Sequence, residues 1–270
     1  MHLPIRSLAL AALTLGSVAL AGCGNSETDD TTVKVGTMSG PETTVMETAK
    51  KIAKDKYGLD VQIVEFTDYN SPNAALADGS LDANAYQHKP YLESMVNDRG
   101  YKFATAGATF VYPIGAYSKR YDSIDDLPEG ATIAIPNDPS NEGRSLILMD
   151  KKGLITLKDN TDLNATPMDI SENPHNFKFN EIDAAQLPRT LQDVDLAFIN
   201  NTYAQPAGLS LQDDALIKEG PDSPYVNLIV VREGDQDKEK IKHLVEAYQT
   251  DEVAEKAKEL FKGAAVPGWE

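Results

Sequence analysis

The stretch Asn137-Asp-Pro-Ser-Asn-Glu-Gly-Arg144 carries the residue types best suited to gripping an anion. A strand is expected to end and a helix to begin there, so free backbone N–H groups and the helix dipole would face a negative charge. Arg144 falls one turn into that helix, where its planar fork can take a carboxylate with two parallel hydrogen bonds. A capping loop with a surface arginine has the same spacing. Asn200 and Asn227 each end or interrupt an apolar run, Leu-Ala-Phe-Ile-Asn200 and Tyr-Val-Asn227-Leu-Ile. Asparagine is poor in strands, so either amide could turn into a cleft and accept from an ammonium group through its carbonyl. A simple turn explains Asn200 equally well. Tyr69, Tyr86 and His88 stand at the ends of expected strands, where they would wall an apolar pocket or simply pack.

Signatures of catalysis and metal binding are missing. There is no Gly-x-Ser-x-Gly elbow and no phosphate-binding loop of the Gly-x4-Gly-Lys-[Ser/Thr] type. Cys23 is the only cysteine, which excludes an intrachain disulfide and any cysteine-rich zinc or iron–sulfur site. His2, His88, His175 and His243 include no i,i+4 pair, so no histidine-ligated metal is expected. An all-oxygen calcium site is the one metal reading left open, and no cofactor is expected. The acidic pairs Asp29-Asp30, Asp125-Asp126 and Asp213-Asp214 sit in turn-like stretches and read as solvated surface. If the scaffold carried an enzyme, His88 would be its one candidate titratable group. Lys and Arg number 25 against 42 Asp and Glu, a formal charge of −17. That balance argues against nucleic acid as a partner, because such binding needs a basic face.

These side chains must be positioned by an α/β framework. The 270 residues are 41% apolar and 25% charged, the composition of a packed globular protein. From Val33 onward apolar runs of strand length alternate with helical periods. Strands are expected at 33–37, 61–66, 81–86, 131–136, 177–182 and 195–199. A helix opens at Pro41 and stops at Gly58, and further helices are expected at 72–78, 89–98, 140–149, 187–191, 238–248 and 252–261. Two extended runs, 109–117 and 224–231, bracket a block with its own alternation. Pro113 marks the first of them as an edge or crossing segment. The pattern predicts two lobes, 33–113 with 231–270 and 114–230, joined by two crossing strands. A cleft between lobes is a favoured ligand site, closed by hinge motion.

Residues 1–22 read as an export signal. Arg6 precedes an apolar run over 8–20 that is too short to span a hydrocarbon core about 30 Å thick. The run ends in Leu20-Ala-Gly-Cys23, which resembles the bacterial lipobox and implies diacylglycerol on the Cys23 thiol. Residues 23–32 hold almost nothing apolar and read as a flexible tether.

Five segments carry a family resemblance. They are Phe66-Thr-Asp-Tyr-Asn-Ser-Pro-Asn73, Leu81-Asp-Ala-Asn-Ala-Tyr-Gln-His-Lys-Pro-Tyr-Leu92, Ile135-Pro-Asn-Asp-Pro-Ser-Asn-Glu-Gly-Arg144, Phe198-Ile-Asn-Asn-Thr-Tyr-Ala204 and Ser223-Pro-Tyr-Val-Asn-Leu-Ile229. In this order, behind a lipobox, they resemble the methionine-binding lipoproteins, the NlpA family of substrate receptors for methionine ABC importers. The resemblance implies a type II periplasmic-binding-protein fold with ligand buried between two α/β lobes, and no enzymatic activity. It implies that Arg144 holds the carboxylate of L-methionine. Asn200 and Asn227, with Asn141 nearby, would take its ammonium and carboxylate groups, and Tyr69, Tyr86 and His88 would enclose its side chain. Tyr86 stands where many relatives place phenylalanine. The implied partners are a permease and its ATPase, and the receptor itself would be held by its lipid on the extracytoplasmic side of the membrane. The alternatives in the same class are D-methionine, a methionine-containing dipeptide or another apolar amino acid; a structural surface lipoprotein would have no need of a buried Arg–Asn set.

Cys23→Ala should abolish lipidation and release the exported chain from the membrane fraction. An unmodified, soluble wild type whose Cys23 thiol is still alkylatable would contradict the anchor.

Overall fold

A computed structural model describes residues 31–220 and 223–269. The expected export signal and Cys23 lie outside the described residues.

The first lobe opens with β1 (Thr32–Met38), buried at Val33 and Val35. In α1 (Pro41–Tyr57) a proline in the first turn supplies a φ already suited to a helix. Gly58, at φ 68°, ends it in the left-handed region. Val45, Met46, Ala49 and Ala53 recur at helical spacing and form its buried face. β2 (Asp60–Phe66), α2 (Ser71–Ala77), β3 (Ala83–His88), α3 (Lys89–Arg99) and β4 (Phe103–Val111) follow. The second lobe contains β5 (Gly115–Tyr117), β6 (Thr132–Pro136), α4 (Pro139–Lys151), β7 (Thr156–Leu157), β8 (Ile170–Glu172), β9 (Lys178–Ile182), α5 (Leu187–Thr190), β10 (Leu196–Ile199), α6 (Asn201–Ala204) and β11 (Ile217–Lys218). The chain then returns to the first lobe through β12 (Val226–Arg232), α7 (Glu239–Tyr248), α8 (Asp251–Leu260) and β13 (Val266–Pro267).

The larger sheet has the order β13-β4-β12-β3-β1-β2, with β1 parallel to β2 and β3, and β12 antiparallel to β3 and β4. The smaller has the order β11-β5-β10-β6-β9, in which β9, β6 and β10 run parallel. The expected architecture, two α/β lobes with two crossings, is therefore present. The extended run 109–117 breaks at Pro113: β4 and β5 belong to different sheets.

One lobe boundary differs from expectation. Residues 226–230 were expected in the second lobe, but Val226–Arg232 pairs along its length with β3 and β4 and forms an interior strand of the larger sheet. Its apolar run, buried from Asn227 to Val231, marks a strand covered on both faces. Such a run does not say which sheet it joins. The return crossing is thus the segment between β11 and β12.

Helices α7 and α8 pack on α1, presenting Ile241, Leu244 and Ala247 and then Val253 and Ala257. This core continues through Phe110 and Tyr112 to Ala197 and Ile199 of the second lobe. A separate core behind the smaller sheet gathers Ile133, Ile135, Leu146 and Phe198. Beside it, a Cβ on Gly143 would stand 2.4 Å from the Leu163 carbonyl oxygen. Only glycine lets that loop cross α4 one residue before Arg144.

Candidate functional site

The residues that follow β2, β3, β6 and β10 meet between the lobes, the usual place for a ligand at the carboxyl ends of parallel strands. They surround a narrow pocket between the lobes, a favoured position for a small-molecule site. Tyr69, Tyr86, His88, Asn141, Arg144, Asn200 and Asn227, the residues singled out in the sequence, all line it. Gln87, Tyr91, Tyr112, Asn201 and Thr202 complete the wall.

Arg144 is buried, its side chain 2% exposed, and its charge is met within the protein. Nε donates to both oxygens of Glu219, at 3.1 and 3.2 Å, and Nη2 donates to Glu219 Oε2 and to the Tyr112 carbonyl at 3.0 Å. The Tyr225 ring lies against the guanidinium, 4.3 Å from its carbon to the ring centroid, a cation–π contact. The Nε–Nη2 edge is therefore occupied, and only Nη1 finds no acceptor among the described residues. Two parallel bonds from that edge to a ligand, as the sequence suggested, are not available.

The α4 N-terminus also departs from expectation. Asp138 is its N-cap and accepts from the Asn141 backbone N–H at 3.0 Å and the Ser140 hydroxyl at 2.9 Å. The protein's own carboxylate thus occupies the place proposed for a ligand anion, because aspartate is itself among the best caps.

A relay of amides crosses the cleft. Asn141 Oδ1 accepts from Asn200 Nδ2 at 2.8 Å and faces His88 Nε2 at 3.1 Å. His88 Nδ1 accepts from the Tyr91 backbone N–H, capping α3. A backbone N–H can only donate, so Nδ1 is bare and the proton sits on Nε2. Burial, then the Arg144 charge, holds the His88 pKa down at about 3, so the ring is neutral at physiological pH. Asn141 Nδ2 is spent on Asp138. Asn141 thus connects His88 to Asn200 across the cavity wall. Among the described residues that line the cavity, two buried amide atoms remain without partners: Asn200 Oδ1, an acceptor, and Asn201 Nδ2, a donor. Such atoms are costly to bury unless something fills the cavity.

Asn227 owes its orientation to an irregularity in β12, where the register against β4 slips between Val226 and Leu228. A bulge re-aims side chains. Asn227 Nδ2 donates to the Tyr86 carbonyl at 2.9 Å, which leaves its Oδ1 as the free acceptor. Gln87 is fixed from behind by a reciprocal pair of 2.8 Å bonds with Asn73.

The far end of the cavity is aromatic. Tyr69 packs against Tyr86, Tyr91 and Tyr203 with centroid separations of 6.0, 5.9 and 4.9 Å. The hydroxyls of Tyr86 and Tyr91 both donate to the Tyr69 carbonyl, at 2.8 and 3.0 Å. Those bonds turn the polar ends of both rings toward backbone.

Glu42, in the first turn of α1, accepts from Thr202 Oγ1 of the second lobe at 2.5 Å. Burial raises its pKa to about 8, so it is largely protonated at neutral pH. An acid just after Pro41 reads in sequence as an ordinary helix-dipole partner, and Glu219 beside Gly220-Pro221 reads as a turn. Neither carries a signal that would have placed it here. Tyr91 and Tyr112 were findable, since each lies within three residues of a singled-out position or of Pro113.

Known proteins resemble the chain over nearly its whole length. Residues 33–269 match the family model described as NlpA lipoprotein. The chain is 52% identical, over the full length of both, to a protein of Vibrio cholerae named as a probable D-methionine-binding lipoprotein. A solved periplasmic substrate-binding protein of an ABC transporter from Coxiella burnetii is 54% identical, with a TM-score of 0.85 over 87% of this chain and 100% of that one. A nutrient-binding protein from Burkholderia cenocepacia, solved bound to methionine, is 52% identical, with a TM-score of 0.85 over 87% and 99% of the two chains.

The buried Glu42 makes stability depend on pH. Its folded pKa, about 8, lies above the ordinary 4.5, so its contribution is complete below pH 4.5 and is lost as pH rises through 8. Denaturant midpoints should fall between pH 6.5 and 8.5. Glu42→Gln, which keeps an acceptor for Thr202, should flatten that fall, leaving the part due to Glu142, held up to about 7 by burial and neighbouring acids. An unchanged slope in the variant would contradict the protonated Glu42.

Proposed function

Because this chain belongs to the NlpA lipoprotein family, we propose that it is the receptor of an ABC importer for L-methionine, closing its lobes on the free amino acid and presenting it to the permease and its ATPase. The protein is a substrate-binding protein and not an enzyme. Cys23 anchors it to the extracytoplasmic face of a membrane, with 23–32 as the tether.

The observation that carries the ligand class is the polar end of the cavity. Arg144 and Glu219 together are neutral, which suits a zwitterion better than a net anion or cation. Nη1 of Arg144 and the unpartnered Nδ2 of Asn201 are donors for a carboxylate. The unpartnered Oδ1 of Asn200 and the free Oδ1 of Asn227 are acceptors for an ammonium group. A compact α-amino acid carries both groups on one carbon, an anion for the donors and a cation for the acceptors.

The tyrosine wall supports a thioether side chain, since a polarizable sulfur gains about 0.3–1.5 kcal/mol from each aromatic contact. Methionine sulfoxide would bury an oxygen among ring faces whose hydroxyls already serve Tyr69. The D-enantiomer is the second reading, favoured by the name of the Vibrio cholerae relative.

Competition against labelled L-methionine on the lipid-free chain, after denaturing to remove carried-over ligand and refolding, tests the assignment. L-Methionine should compete best, norleucine several-fold less well, and leucine, methionine sulfoxide and methionine methyl ester poorly. Leucine displacing the label as well as methionine does would defeat the methionine reading. D-Methionine competing better than the L form would move the assignment to the second one.

A further inference from the structure

The contacts of Glu219 reach further than a simple counter-ion requires. Its carboxylate takes the whole Nε–Nη2 edge of Arg144 on α4. It also accepts from the Ile114 backbone N–H at 3.2 Å and from the Ser223 hydroxyl at 3.2 Å. Ile114 belongs to the first crossing between the lobes, and Glu219 and Ser223 belong to the second. Arg144 Nη2 closes the ring by donating to the Tyr112 carbonyl, again on the first crossing. Tyr225, on the second crossing, covers one face of the same guanidinium. Both hinge segments are therefore fastened to one planar cation, and that cation has only Nη1 left to offer the cavity.

We propose that Glu219 is a positioning residue: it clamps Arg144 across both interlobe crossings so that Nη1 meets the ligand carboxylate, tying ligand capture to hinge geometry. The inference rests on the amino-acid receptor reading above. Glu219 itself is absent from the cavity wall and acts through Arg144.

Electrostatics alone and positioning make opposite predictions for Glu219→Gln. Removing an anion beside Arg144 strengthens the field felt by a ligand carboxylate, so a pure charge effect would tighten binding. Loss of the clamp instead frees the guanidinium and weakens binding. Calorimetry of the lipid-free chain with L-methionine and with L-methioninamide, which lacks the anion, separates the cases. Glu219→Gln should lose about tenfold or more in methionine affinity, should lose much less for the amide, and should be partly rescued by Glu219→Asp. Tighter or unchanged methionine binding would overturn the proposal, and so would an equal loss for both ligands, which marks general damage to the fold. Ligand-free NMR of the Arg144 Nε–H adds a readout that does not depend on the ligand's identity. The signal should be exchange-protected in the wild type and lose that protection in Glu219→Gln; the same protection in both would overturn the clamp. Failure of the wild type to bind methionine would defeat the receptor reading, and the Nε–H comparison would then decide the clamp alone.

Discussion

A guanidinium withdrawn from water is the constraint on which the rest of the site depends. Burying an unpaired charge costs several kcal/mol, so Arg144 must have a partner whether or not a ligand is present. Glu219 supplies it from the second crossing, and the Tyr112 carbonyl on the first takes a further N–H. The pair is neutral, occupies one edge of the fork, and leaves a limited, directed donor toward the cavity. That limitation narrows the ligand: a doubly charged anion would find too little positive charge, and an uncharged apolar molecule would leave Nη1 unanswered.

Around this pair the polar groups are fixed by one another. His88 is held as the neutral Nε2–H form by a backbone donor on Nδ1, so it hydrogen-bonds to Asn141 across the cleft without bringing charge. Asn141 in turn orients Asn200. A second interlobe bond, Thr202 to the protonated Glu42, lies on the same cleft. Inside the cleft the lobes thus meet through neutral groups, whose hydrogen bonds form and break at lower desolvation cost than buried ion pairs, while the Lys262–Asp213 ion pair between them is exposed. Receptors that must close on ligand and later release it suit that chemistry.

Much of this was legible from residue types. Proline at the first turn of α1, glycine after it and the alternation of apolar runs placed the longer elements to within a few residues, whereas the short β7, β8, α6, β11 and β13 carry no such pattern. Asparagines inside or at the ends of apolar strands are costly unless used, which is why Asn200 and Asn227 stood out. Long-range partnerships were not legible. The return strand β12 reads the same in either sheet, so its lobe was misassigned. Of the two readings of the Asn137–Arg144 loop, the capping one holds for the α4 N-terminus, which Asp138 fills. Glu42 and Glu219 find their partners 160 and 75 residues away, and no local pattern predicts contacts of that span.

The most direct measurement is calorimetry of L-methionine binding to Arg144→Ala. Removing the one cation of the cavity strands Glu219 in the interior and takes the carboxylate's donor away, so affinity should fall by about a hundredfold or more, the scale of truncating a buried, hydrogen-bonded charge. Circular dichroism should confirm that both lobes remain folded. A folded variant that binds methionine within fivefold of the wild type would contradict a ligand carboxylate held by Arg144.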